Sequence, residues 1–169
     1  MTNDNEIFPI VDESGTVIGK STRAFCHSGA KPLHPVVHLH IFNDKGELYL
    51  QKRSKTKDIQ PDKWDTAVGG HIDYGEDTET ALKRETSEEL GITLFKYIFC
   101  FRYVFESKIE KELVTSYRTI YNGVITPDMD EVDEGRFWSI SQIRESIGKE
   151  IFTPNFESEF SRLSTILSL

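Results

Sequence analysis

The chain has 169 residues, 37% of them hydrophobic and 28% charged, with a formal net charge of −8. That suits one globular domain over residues 1–169, long enough to bury a core. No apolar run approaches the roughly 20 residues that span a bilayer, and the start MTNDNEIFPIV has neither the basic nor the apolar part of a secretory signal. The acidic balance argues against a nucleic-acid binder, which needs clustered Lys and Arg for the phosphate backbone. It leaves room for a small anionic substrate whose charge a divalent cation neutralises. Cys26 and Cys100 form no CxxC pair and no metal-ligand spacing, so they read as free core thiols of a cytoplasmic protein.

In chain order, Glu6–Val11 and Thr16–Ser21 flank Asp12-Glu13-Ser14-Gly15, which predicts an N-terminal hairpin over about 6–21. Val36–Phe42 reads as a strand, Asn43-Asp44-Lys45-Gly46 as a turn, and Glu47–Arg53 as the next strand. The polar stretch Ser54–Lys63 leads to Trp64, a packing residue, and then to the short segment Asp65–Gly70. Asp77 to about Leu90 is the clearest helix, ended by Gly91. Ile92–Phe105 and Leu113–Ile125 are rich in β-branched and aromatic residues and predict two long strands joined by a charged loop, Glu106–Glu112. Asp128–Glu134 reads as a solvated acidic loop, Arg136–Ser139 as a short strand and Ser141–Ile147 as a short helix. Thr153-Pro154 opens a last helix over about 154–168, with Phe156, Phe160, Leu163 and Leu167 on one stripe. The sum is an α+β chain with a mixed sheet between helices.

The central helix places Leu82, Thr86 and Leu90 on one stripe and Glu85, Glu88 and Glu89 on the next. Like charges three and four residues apart weaken a helix by a few tenths of a kcal/mol per pair. The bland reading is a solvated acidic face; the chemical one is a hard-oxygen site for Mg2+ or Mn2+. The surrounding residues favour the second. The segment GHIDYGEDTETALKRETSEELGI, residues 70–92, has Gly70, five residues, Glu76, seven residues, then Arg84-Glu85, Glu88-Glu89, Gly91 and Ile92.

This spacing resembles the Nudix box, G-x5-E-x7-R-E-U-x-E-E-x-G-U with U bulky and apolar, matched everywhere except at Thr86. The resemblance implies a Nudix fold of α/β/α type and a Mg2+-dependent hydrolase that cleaves a diphosphate linkage. It implies metal ligation by Glu85, Glu88, Glu89 and the Gly70 carbonyl, support from Glu76, and orientation of the glutamates by Arg84. A carboxylate must take the proton of the attacking water; Glu88, Glu89, Glu112 and Glu131 all stay open for that role.

From His27 to Glu112 the chain is also similar to the branch containing the isopentenyl-diphosphate isomerases. That likeness rests on His27, His34, Arg53, Lys57, Pro61, Trp64, His71 and the pair Glu110 and Glu112. It implies a second metal set of His27, His34, His71, Glu110 and Glu112, diphosphate contacts from Arg53 and Lys57, and Glu131 and Glu134 near the site rim. Lys52, Arg53, Lys55 and Lys57 together read as an anion-steering cluster. His38 and His40, taken singly, read as ordinary surface or core histidines. The isomerases carry a catalytic cysteine where this chain has Gly69, which disfavours isomerase chemistry, while the whole box favours hydrolysis. A non-catalytic nucleotide-binding module is the third reading, disfavoured because such modules lose box glutamates. The expected partner is a small organic or nucleoside diphosphate, with no nucleic acid and no membrane, and a homodimer is implied by the family.

Overall fold

A computed structural model describes residues 3–57 and 59–169. Two antiparallel strands, β1 (Ile7–Val11) and β2 (Val17–Thr22), form the N-terminal hairpin, and the single turn α1 (Arg23–Cys26) follows. The main sheet is built from β3 (Leu33–Phe42), β4 (Leu48–Arg53), β5 (Trp64–Thr66), β6 (Val68–His71), β7 (Ile98–Glu106), β8 (Lys111–Ile120) and β9 (Val132–Trp138). Its central path runs β5-β4-β3-β8-β7, with β6 paired to β3 and β9 to β4. The β3–β8 pair is parallel and its neighbours are antiparallel, so the sheet is mixed. The helices are α2 (Thr78–Leu90), α3 (Ile140–Ser146) and α4 (Pro154–Leu167).

Strand alternation sorts the core into two layers. Val37, Leu39 and Ile41 of β3 face α2, where they meet Ala81, Leu82 and Leu90. Phe42 of β3, with Leu48 and Leu50 of β4, faces the other way, toward Phe156, Phe160 and Leu163 of α4. The sheet is therefore covered by α2 on one face and α4 on the other. No helix among the described residues is long and apolar enough to cross a membrane.

Three boundaries differ most from the sequence reading. The strand expected from Ile92 begins at Ile98, because Ile92 follows the left-handed Gly91 and plugs the α2 layer, 2% exposed. The strand expected to reach Ile125 stops at Ile120, where its parallel partner β3 ends at Phe42. The acidic stretch is not all loop: β9 starts at Val132, and Glu134 stands opposite Lys52 of β4.

Candidate active site

The box folds as a loop and helix against the α2 face. Asp77 caps α2 by accepting from the Thr80 N–H at 2.8 Å, and Gly91 closes it with φ 67°. Thr86 sits fully buried on the apolar stripe, where a hydroxyl without a partner would be costly. Its Oγ1 donates to the Leu82 carbonyl at 2.6 Å, which removes that cost.

Arg84 is the hub of the acidic groups. Its Nε and Nη2 donate to Glu76 at 2.9 and 2.8 Å, and its Nη1 donates to Glu85 at 2.7 Å and reaches Glu88 at 3.4 Å. Nη2 also donates to the His71 carbonyl at 3.0 Å, tying the helix to the end of β6. The guanidinium holds the Glu76 carboxyl below the usual carboxylate range. Burial pushes Glu85 up, against the pull of Arg84. Burial, then the charge of Glu85, pushes Glu89 up to about 8, although Gln51 Nε2 donates to it at 3.0 Å.

Gly70 is required by proximity. A Cβ there would lie 2.1 Å from the Glu85 carboxyl carbon, so only glycine lets that carboxylate lie against the β6 backbone. One arginine serves Glu76, Glu85 and Glu88, and two box carboxylates are driven toward protonation. That negative charge is what a hard divalent cation relieves, so the oxygen donors fit Mg2+ or Mn2+. The three glutamates are not drawn into one tight cluster, and 61% of the Glu88 side chain is exposed.

A second set does gather. Among the described residues, His27, His34, His71 and Glu110 bring one ligand atom each within 4.8 Å of one another. His27 Nε2 lies 3.2 Å from His71 Nε2 and 3.1 Å from Glu110. Glu112 stands slightly off, 3.8 Å from His71 Nε2. His34 Nδ1 donates to the Pro32 carbonyl at 3.0 Å, leaving Nε2 buried and without a hydrogen-bond partner. An imidazole fixed in this way, with a bare lone pair toward the cluster, is preset as a metal ligand. Burial pushes His27 down to about 4 and also lowers His34 and His71, so all three present neutral nitrogens at neutral pH. Burial, with Glu110 second, pushes Glu112 up to about 8. The fully buried Phe8 stacks on His71 at 4.4 Å and 5°, so the N-terminal hairpin roofs the cluster.

The basic run is less free than its composition suggests. Lys52 pairs with Asp62 at 2.8 Å, Arg53 lies 3.7 Å from Asp65, and Lys57 pairs with Glu131. Arg53 Nε also donates to the Ile59 carbonyl at 3.1 Å. The Arg53 charge still acts on Glu110 of the histidine set, lowering it against the effect of burial. Glu134 pairs loosely with Arg136 at 3.9 Å. Cys26 and Cys100 are free, the first buried and the second half-buried.

One polar centre escaped the sequence reading. Glu159 of α4 is fully buried and accepts from His38 Nδ1 at 2.6 Å, His40 Nε2 at 2.9 Å and Tyr103 Oη at 2.8 Å. The signal was present: Glu159 lies within the apolar stripe of α4, and a buried carboxylate needs partners. What could not be read was that β3 and β7 supply them.

A mixed sheet with a carboxylate-bearing loop and helix on one face and a second helix on the other is the Nudix fold. A NUDIX domain matches residues 32–156, and the chain belongs to that family, the Nudix hydrolases. It is 42% identical over 94 residues to an uncharacterised Nudix hydrolase of Nostoc sp., a match spanning 56% of each chain. It is 29% identical to an isopentenyl-diphosphate Delta-isomerase of Paenarthrobacter aurescens, across 95% of this chain and 92% of that one. In structure it is similar to a protein of Deinococcus radiodurans, with TM-score 0.77 and 21% identity over 93% of this chain and 98% of the other. It also resembles the NUDIX domain of Shewanella oneidensis NrtR in complex with ADP ribose, with TM-score 0.62 and 13% identity over 79% and 87% of the two chains.

Proposed function

We propose that the protein is a Mg2+-dependent diphosphohydrolase acting on a nucleoside diphosphate derivative or another organic diphosphate. The observation that carries this reading is the complete box around Arg84, with Glu85 laid against Gly70. Glu85, Glu88, Glu89 and the Gly70 carbonyl would hold Mg2+ or Mn2+. Bound there, the cation neutralises phosphate oxygens and acidifies a water. Arg84 orients Glu85 and Glu88 and keeps Glu76 ionised. Glu88, exposed and tethered only at 3.4 Å, is the box carboxylate freest to take the proton of the attacking water. Arg53 and Lys57 meet the diphosphate, exchanging their present carboxylate partners for phosphate oxygens. His27, His34, His71, Glu110 and Glu112 form a second metal set that would bind the substrate from the opposite side of β6. A cytoplasmic homodimer accompanies this reading.

The isomerase likeness favours the same substrate end but not the same chemistry. Gly69 has no side chain to protonate an alkene, so hydrolysis is preferred. The test is release of phosphate or nucleotide from a panel of nucleoside and organic diphosphates with Mg2+. Wild type is expected to cleave at least one, and Glu88→Gln to lose about 100-fold or more in kcat. No Glu88-dependent cleavage of any member, or exchange between isopentenyl and dimethylallyl diphosphate, would overturn it.

A further inference from the structure

Gly69 and His38 stand opposite each other in the β6–β3 register, on the sheet face away from α2. Gly69 is exposed, and a Cβ built on it would lie 3.4 Å from both Cδ2 and Nε2 of the His38 ring. His38 is thus the floor of an opening that the missing side chain leaves in β6. The imidazole is fixed from below by Glu159, which receives its Nδ1 proton at 2.6 Å. Glu159 is in turn held by His40 and Tyr103, and Tyr103 also donates to Asn155 at 2.9 Å. Four side chains from two strands and a helix therefore immobilise one ring. Its other nitrogen, Nε2, makes no hydrogen bond among the described residues, while 90% of the side chain is buried, with 10% left exposed. An accessible polar atom without a partner, on an immobilised side chain that is otherwise buried, is a recognition group awaiting a partner.

The opening adjoins the reaction centre. Gly69 N–H points at Glu89 at 3.4 Å, so the box carboxylates begin on the far side of the same residue. On the same face, His71 follows Gly69 along β6, and Glu112 of β8 lies further on, opposite His34. Glu159, Glu112 and Asp65 all act on His38, and Glu89 feels its charge. Glu159, bonded to Nδ1, already serves as the counter-ion of this imidazole, so the subsite offers no unmatched positive charge to a second phosphate or a carboxylate. It suits a hydroxyl, which accepts from Nε2 when the ring carries two protons and donates to it when it carries one.

The geometry points to a substrate subsite at His38 Nε2, reached over Gly69, that takes a hydroxyl of the non-phosphate part of the molecule. This inference rests on the hydrolase reading and narrows it: the substrate is a hydroxylated diphosphate of the sugar or ribose kind, not one with a hydrocarbon tail. His38 is then a specificity-determining residue.

The test compares ADP-ribose and UDP-glucose with hexyl diphosphate, in the wild-type protein with Mg2+ and in Glu88→Gln. At least one hydroxylated probe is expected to be cleaved in a Glu88-dependent manner, with kcat/KM about tenfold or more above hexyl diphosphate. His38→Leu and, independently, Gly69→Ala are expected to lose that tenfold preference, chiefly through KM, and to leave hexyl diphosphate within about twofold. Gly69→Ala sets a methyl at ordinary contact distance from the His38 ring without removing His38 or its bond to Glu159, so it reports on the opening and not on folding. Equal loss on all three probes, or unaltered preference, overturns the subsite. If none of the three is cleaved, binding decides separately from catalysis. The Nε2 nitrogen resonance of His38, assigned by its loss in His38→Gln, should shift when ADP-ribose or UDP-glucose is added to the wild type and stay fixed in Gly69→Ala. A resonance that does not move with either sugar nucleotide sinks the inference, whatever the fate of the hydrolase reading.

Discussion

Removing the Arg84 guanidinium would leave Glu76, Glu85 and Glu88 without the cation they share. The charge-assisted bonds to Glu76 and Glu85 are the short ones, and such bonds contribute about 2 kcal/mol each when their removal strands a partner. Arg84→Gln is therefore expected to lower the urea midpoint by an amount equivalent to about 2 kcal/mol or more. Saturating Mg2+ should restore part of it, because a bound cation replaces the lost charge. Activity should fall mainly in kcat, since the arginine orients carboxylates and does not touch the non-phosphate end of a substrate. Thr86 makes the complementary point about single residues. The box pattern asks for a bulky apolar group there, yet the side chain is buried at no polar cost because its hydroxyl is spent on Leu82.

Secondary-structure elements divide the site between them: α2 brings the carboxylates, β6 the backbone they lie against, and the N-terminal hairpin the roof. A two-stranded hairpin has little stability of its own. Here Phe8 anchors it, with the Tyr74 N–H donating to the Ile7 carbonyl at 3.0 Å. Phe8→Ala is expected to cost about 3 kcal/mol locally. In hydrogen exchange the amides of β1 and β2 should lose protection while those of β8 and α2 keep theirs. Co2+ binding, followed by its visible absorption, should weaken as His71 loses its stacking partner; uniform loss of protection across the sheet would instead show that the hairpin is part of the global core. The elements were legible wherever local chemistry decides them. Asp77 and Gly91 mark both ends of α2, and the Nudix spacing marks its carboxylates. They were not legible where a distant neighbour decides. β8 ends at Ile120 because β3 ends at Phe42, and β9 starts early because β4 extends to Arg53. The histidine set could be written down only through family likeness, and the Glu159 centre joins residues far apart in sequence that carry no shared motif.

At the level of the whole molecule, Glu159 fastens α4 to the sheet through an ion pair whose two halves titrate in opposite senses. Burial opposes a charge on His38, but Glu159 overrides it and raises His38 from 6.5 to about 9. That contribution is full below 6.5 and is lost as pH rises through about 9. Glu159, also opposed by burial, is held well below 4.5 by His38 and His40, so its contribution is present above 4.5 and lost on acidification. Between those limits the pair stabilises the fold. Raising the pH from about 8 to about 10 should lower the melting temperature of wild type more than that of Glu159→Gln, the difference corresponding to about 1.4 kcal/mol at most. Parallel slopes in the two proteins would show that the pair carries none of the pH dependence. The parallel pairing of β3 with β8 has a further consequence, for the order of assembly. Leu33 pairs with Lys111 and Phe42 with Ile120, so a growing chain makes its middle strand long before the partner for one edge exists. Contacts that close so large a loop are slow to form, and an apolar strand waiting with an open edge is exposed to pairing with another chain. The same event seats His34 opposite Glu112. A nascent chain stalled before residue 111 would thus be both sticky and unable to bring Glu112 beside the histidine set.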